Sequence, residues 1–276
     1  MTTSEQQKLD LRYGPGRLPA PETWSPVIDH LLDHRSVRRY RPDPVSDDQL
    51  TAIIAAAQSA ATSSNLHAWS VVAVRDPATR AALSECAGNQ AHVRDAPLQL
   101  VWLADLARLE HVARLAERPC AALDYMEMFV IAVVDAALAA QNAIAAAQSL
   151  GLSGCYIGGM RNQPEKVAEL LGLPPKVFAV FGMTIGIEDD SAGAAAIKPR
   201  LPQSAVLHHE RYQPLKNLDA AVDDYNRTMG DFYESQHMDV HGTWAVHSSK
   251  RISEAKSLTG RDRLVEALHN LGFKLK

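Results

Sequence analysis

Five short segments carry side chains whose types and spacing can do chemistry. HRSVRRY, residues 34–40, sets Arg35, Arg38 and Arg39 around Ser36 in a chain whose net charge is −4. Guanidinium forks beside a hydroxyl suit a phosphate, bound bidentately, better than lysines would. A solvated basic turn is the other reading these residues allow. IKPRL, residues 197–201, is a second basic island in which Lys198 and Arg200 flank Pro199, which holds the stretch extended. If the two islands meet in space, they can close on one phosphate from two sides. TSSNLHAW, residues 62–69, offers hydroxyls and an amide that can hydrogen-bond a polyhydroxyl chain or a heterocycle edge, or can make a local Asx or Ser/Thr turn. Gln90 in GNQAHV raises the same pair of readings. In YIGG, residues 156–159, two glycines let the backbone approach a flat ligand with N–H donors free, or simply make a tight turn before Pro164.

Other chemistries lack their marks. The chain has 28 basic and 32 acidic residues and so presents no global positive field toward nucleic acid. Cys86, Cys120 and Cys155 stand too far apart for metal-ligand or redox spacing, and their odd number argues against a disulfide framework, so reduced thiols and a cytoplasmic protein are expected. His237 and His241 are four apart, but Gly242 and the polar surroundings favour a loop, and no metal site is expected. There is no G-x-S-x-G elbow, no G-x-G-x-x-G and no Walker loop. MTTSEQQKLD has no signal-peptide pattern. The richest apolar stretch, Phe129–Ile144, is interrupted by Asp135, Gln141 and Asn142, so no membrane span is expected.

The elements that must position these segments are legible from periodicity and punctuation. Residues 1–24, polar and then rich in glycine and proline, read as an extended arm preceding one large domain over 25–276. Ser25-Pro26 starts a short helix that delivers HRSVRRY. Ser46 and Gln49 form a capping box for the next helix, which TSSN ends. WSVVAV and LQLVWLA read as buried strands with a helix from about Ala78 to Cys86 between them. From Asp124 to Leu150 an alanine-rich run with Gly151 as its cap predicts a long central helix, which can lie against a neighbouring backbone or against its counterpart in a second subunit. GCYIGG is a strand entering a turn, Pro164 opens a helix closed by Gly172, and VFAVFGMTIGI is a further strand. The tail after Asn217 reads as helical. The class is α+β.

In this order, HRSVRRY, TSSNLHAW, GNQAHV, VVDAALAAQNAIAAAQSLGL, YIGGMRNQPEKVAELLGLP, FGMTIGI and IKPRLP resemble the nitroreductase family of flavoproteins, in its NADPH nitroreductase and flavin reductase branch. YIGG-x-RN with KPRLP is the specific part of the likeness, and the similarity runs from about residue 27 to the C-terminus.

The resemblance implies a central mixed β-sheet surrounded by helices, an interlocked homodimer, and a non-covalent FMN at each subunit interface. His34, Arg35, Ser36 and Arg38 would surround the FMN phosphate, with Lys198 and Arg200 assisting. Thr62 falls at a ribityl position and Gln90 beside the isoalloxazine, while Tyr156, Ile157, Gly158 and Gly159 line the flavin. Ser63, Ser64 and Asn65 fall in the pocket for a small aromatic acceptor. Hydride would pass from nicotinamide to flavin N5 and on to a nitroaromatic, quinone or flavin acceptor by ping-pong kinetics, with no dedicated catalytic side chain. Branch members carry arginines before a Thr-Trp pair that grip the 2′-phosphate of NADPH. Here that segment is ESQHMDVHGTW, without arginine or lysine, so either NADPH or NADH is expected as donor. A flavin-dependent oxidase or dehalogenase, or a non-catalytic flavin-binding protein, are the alternative readings.

Overall fold

In the computed structural model, residues 4–191 and 193–276 are described. The helices are α1 (Glu5–Tyr13), α2 (Pro26–Leu32), α3 (Asp47–Gln58), α4 (Pro77–Cys86), α5 (Ala91–Asp95), α6 (Ala107–Leu115), α7 (Met126–Ser149), α8 (Pro164–Leu170), α9 (Asp219–Ser235), α10 (Trp244–Arg251) and α11 (Leu264–Asn270). The strands are β1 (Trp69–Val74), β2 (Leu98–Asp105), β3 (Ser153–Ile157) and β4 (Val177–Gly186). Residue contacts divide the chain into two units, Met1–Arg35 with Ala195–Leu258, and Ser36–Ala194 with Thr259–Lys276.

The larger unit is built on one sheet of order β1-β2-β4-β3. Its three ladders are all antiparallel. This corrects the expected mixed sheet: among the described residues the parallel pairing is a single bridge, Ser36 to Gly154. Strand β2 is buried along its whole length, as its near-continuous apolar run requires of a central strand covered on both faces. One apolar cluster gathers Ile53, Leu100, Trp102, Ile144 and Met183 between the sheet, α3 and α7. A second joins Leu83, Val101, Leu103 and Val167 on the other side of β2.

Helix α7 is 24 residues long and buries Ala132, Asp135, Ala136, Ala139, Ala140, Ala143, Ile144 and Ala147. That is the i, i+3, i+4 stripe of one helical face, and its alanines let α3 and β2 pack closely. By length and composition this helix is also apolar enough to cross a membrane, contrary to the expectation that no run reaches that length. Asp135, Gln141 and Asn142 do not lower its mean hydropathy enough to disqualify it. In this fold α7 serves as a core helix, with a second apolar row, Met126, Val130, Val134 and Leu138, left exposed.

The smaller unit contains α1, α2, α9 and α10. Residues 5–13 are helical, which corrects the extended arm; residues 1–3 lie outside the described residues. Ser4 and Gln7 make a reciprocal capping box, a start signal that the following Gly-Pro-Gly overshadows in the sequence. The helix buries Lys8, Leu9 and Arg12. Lys8 Nζ reaches Asp29 Oδ2 and Asp33 Oδ2, both at 2.7 Å, fastening α1 to α2. Two charged side chains four apart thus form a buried face, where composition reads a polar tail. Helix α2 starts as expected, Ser25 capping Ile28 N–H with Pro26 at the first position.

Candidate functional site

In the smaller unit the start of the first basic island, His34–Arg35, meets the second, and Arg12 is what joins them. Its guanidinium donates to the backbone carbonyls of Leu32 (2.6 Å), His34 (2.8 Å) and Lys198 (2.9 Å). The Arg200 backbone N–H in turn donates to the Arg12 carbonyl at 2.8 Å. The Tyr225 hydroxyl donates to the Pro199 carbonyl at 2.9 Å. Every residue from Lys198 to Arg200 is therefore fixed by a backbone bond, Pro199 is buried, and the Lys198 and Arg200 side chains face outward. The charge is concentrated and positive: burial, then the neighbouring Arg200, pulls the Arg12 pKa below the usual arginine value. Beyond weak contacts from Arg200 Nη1 to the Lys198 and Pro199 carbonyls, at 3.3 and 3.4 Å, its guanidinium has no protein acceptor among the described residues.

In the larger unit, residues 36–41 run extended along the sheet. Val37 N–H donates to the Gly154 carbonyl at 3.1 Å and Arg41 N–H to the Ile187 carbonyl at 2.9 Å. Val37 is buried while Ser36 and Arg38 are exposed, the in-out alternation of extended backbone. The Tyr40 hydroxyl pins the segment, bonding the Val37 carbonyl at 2.6 Å and Thr184 Oγ1 at 2.7 Å. Arg38 has no carboxylate partner among the described residues. Beside it, burial and then the Arg38 charge hold His92 below the usual histidine pKa, so its imidazole stays neutral. His92 Nε2 is buried without a hydrogen-bond partner. Arg39, given no role by its sequence position, bonds the Gly193 carbonyl.

The TSSN loop is organised from below by Asp135, 1% exposed in the middle of α7. One carboxylate oxygen accepts the Thr62 hydroxyl (2.5 Å) and Ala68 N–H (3.2 Å), and the other accepts Ser63 N–H (3.0 Å). Thr62 Oγ1 also accepts His67 N–H at 2.9 Å. The hydroxyl expected to meet a ribityl chain has therefore given its only proton to Asp135. Ser64, Asn65 and His67 all take left-handed backbone, φ +49°, +56° and +50°. Strain of this kind persists only where surrounding bonds over-determine it. Ser63, Ser64 and Asn65 are exposed above the anchor.

At the glycine turn Tyr156 is edge-on to Phe181, with ring centroids 5.3 Å apart, and Ile157 is buried. A Cβ on Gly159 would sit 2.7 Å from the Ala87 carbonyl, so the close approach this glycine permits is to protein backbone. Gly158 is different. Its missing side chain opens toward two guanidinium groups, with a Cβ position 3.3 Å from Arg161 Nη2 and 3.7 Å from Arg261 Nη1. Gln90 donates from Nε2 to the Ala87 carbonyl at 2.7 Å, so part of its amide serves the loop.

A sequence model described as the Nitroreductase family matches residues 31–187, and one described as its C-terminal domain matches residues 198–276. The chain belongs to the nitroreductase family. An oxygen-insensitive NADPH nitroreductase of Salmonella typhimurium is 38% identical over 250 residues, covering 90% of this chain and 98% of the relative. An NADPH-flavin oxidoreductase of Vibrio harveyi is 40% identical, covering 82% and 91%. Among solved structures, Bacillus megaterium NfrA2 superposes with a TM-score of 0.85 at 35% identity, over 92% of this chain and all of that one. The NADPH:FMN oxidoreductase of Vibrio harveyi complexed with NAD+ gives a TM-score of 0.79 at 36% identity, over 91% and 99%. The nitroreductase fold and the α+β class are thereby established.

Within this member of the family, sequence reasoning missed Arg12, Asp135, Arg161 and Arg261. The signal for Asp135 was a lone carboxylate in an alanine-rich helix, where charge is costly without partners. Arg12 had a weaker mark, since α1 lies before the matched region and no motif reaches it.

Proposed function

We infer that the protein is an FMN-dependent NAD(P)H oxidoreductase that transfers reducing equivalents to nitroaromatic, quinone or flavin acceptors. The carrying observation is the meeting of the His34–Arg35 and Lys198–Arg200 segments around Arg12, which concentrates positive charge with outward-facing donors. Within the smaller unit that donor set suits a phosphate: the Arg35 and Arg200 guanidinium forks, the Lys198 ammonium and the His34 imidazole, with Arg200 lacking, among the described residues, a carboxylate that would compete. The activities named for the relatives agree with this reading.

His34, Arg35, Ser36, Arg38, Lys198 and Arg200 hold the FMN phosphate in this reading. Backbone bonds at His34, Lys198 and Arg200 fix where these side chains start, which leaves binding the side chains themselves to order. The Gly158–Arg161 turn contributes backbone N–H groups and the Arg161 and Arg261 charges near a flat ligand, where positive charge favours a reduced, anionic ring. Gln90 keeps one amide proton and its carbonyl oxygen for the same ligand. Ser63, Ser64 and Asn65 border the acceptor pocket, on a loop rigid enough to leave it open. When bound, FMN supplies hydride acceptance from nicotinamide and onward electron transfer to the acceptor. No side chain is assigned a proton-transfer role.

A homodimer belongs to this reading, with a second copy covering the exposed Met126, Val130, Val134 and Leu138 row of α7. A cytoplasmic location also belongs to it, in keeping with three free cysteines. Steady-state oxidation of NADPH and NADH with a quinone acceptor, both substrates varied, tests the function. Parallel double-reciprocal lines that require added or retained FMN are expected. Oxidation of a donor by oxygen without nicotinamide would favour the oxidase reading, for which the absence of arginine and lysine over 234–244 is the motive.

A further inference from the structure

We propose that Arg12 is a positioning residue for the flavin phosphate, and that α1 is a clasp this chain adds in front of the matched family region. This rests on the reading of the basic cluster as the FMN phosphate site. Helix α1 spans Glu5–Tyr13, whereas the family match begins at residue 31. Its buried face carries two cations with separate duties. Lys8 pairs with Asp29 and Asp33 and fixes the helix to α2. Arg12 has no such carboxylate bond; its guanidinium spends its donors on carbonyls on both sides of the cluster, Leu32 and His34 on one side and Lys198 on the other.

The geometry makes Arg12 more than a generic staple. It holds Lys198 by the carbonyl and Arg200 by the N–H, so the residues on either side of Pro199 are both tied to the same α1 residue. Their side chains then project from a backbone that cannot rotate independently. His34 is held through its carbonyl, immediately before Arg35 in the chain. The four cationic or polar groups of the smaller unit, half-buried His34 and Arg35 and exposed Lys198 and Arg200, share one organising centre. That centre is itself a buried cation and adds to the positive potential felt by an anion nearby. A phosphate therefore gains twice from Arg12, through preorganised donors and through charge, while a ligand without a phosphate gains from neither.

The test compares FMN with riboflavin, which differ by the phosphate alone, in flavin-fluorescence titrations of apoprotein. Arg12→Met is expected to weaken FMN binding about tenfold or more while leaving the riboflavin affinity unchanged, which is the loss of a charge-assisted set of bonds read as a ratio. Arg12→Lys keeps the charge but cannot span three carbonyls, and is expected to fall between wild type and Arg12→Met; it also serves if the methionine variant does not fold, as judged by circular dichroism. At saturating FMN, the 31P resonance of the bound phosphate is expected to shift in Arg12→Lys. An FMN affinity unchanged in both variants overturns the proposal, as does an equal loss for FMN and riboflavin, which would make Arg12 a general scaffold residue. If wild type itself fails to prefer FMN over riboflavin, the phosphate-site reading fails and the proposal falls with it.

Discussion

Two loops of this protein are held by a single buried charge, and the signs are opposite. Arg12 gathers three carbonyls beneath the basic islands, while Asp135 gathers two N–H groups and a hydroxyl beneath TSSN. The consequences differ. Arg12 takes only backbone oxygen and uses none of the side-chain donors of its cluster. Asp135 takes the Thr62 hydroxyl and anchors a loop in which three non-glycine residues hold left-handed backbone. One anchor adds charge of the same sign as the groups it displays; the other has the same sign as any anionic ligand and works by shape. An anchor's charge thus decides whether its loop is an electrostatic device or a rigid wall.

The largest expected effect breaks the wall. Asp135→Leu orphans two N–H groups in a strained loop and is expected to cost about 3–5 kcal/mol in urea unfolding. Arg12→Met orphans carbonyls instead, which tolerate under-satisfaction better than N–H groups do, and is expected to cost about 1–3 kcal/mol. A larger loss at Arg12 than at Asp135 would reverse the comparison. Next comes Thr62→Val, expected to lower stability by about 1 kcal/mol with the affinities for FMN and riboflavin both unchanged. A selective loss of flavin binding in that variant would restore the ribityl role that sequence position suggests.

Arg38→Ala is expected to leave stability within about 0.5 kcal/mol, because the side chain is exposed and without a carboxylate partner. It should weaken FMN binding and not riboflavin binding. The last comparison is with a half-buried pair, Arg263 and Glu165, 2.8 Å apart. Hydrogen bonds from Arg263 lower the Glu165 pKa from 4.5 to about 2. A lowered carboxylate pKa contributes stability above the unfolded value that is lost as pH falls through the folded one. Glu165→Gln is therefore expected to flatten the acid limb between 4.5 and about 2 by less than about 1 kcal/mol, the pair being partly solvated. A loss at neutral pH comparable to that of Asp135→Leu would show that burial is not what separates these anchors.

Much of this was legible from short-range chemistry. The Ser25-Pro26 start, the Ser46–Gln49 capping box and the WSVVAV strand stand where periodicity and capping place them, because each is set by neighbours within a few residues. The two basic islands were legible as candidates for phosphate chemistry, but the tie of His34 and Lys198 to one residue was not, since Arg12 and Lys198 are 186 positions apart in sequence. The α1 helix was misread because burial turns Lys8 and Arg12 from solvated charges into interior fasteners, which composition cannot register. At Gly159 the sequence left out a neighbour: a Cβ there would meet the Ala87 backbone, a contact that depends on where α4 ends. Strand direction also escaped, as connections of that length permit either pairing.

The most direct measurement mixes the FMN-loaded protein with NADPH and with NADH, separately and without oxygen, and follows the visible flavin absorbance. Rapid bleaching by at least one nucleotide, followed by recovery of colour on adding a quinone or nitroaromatic acceptor, is the predicted result. A protein that binds FMN yet keeps its colour with both nucleotides would contradict the oxidoreductase account, and one that takes up no FMN would contradict the phosphate site beneath it.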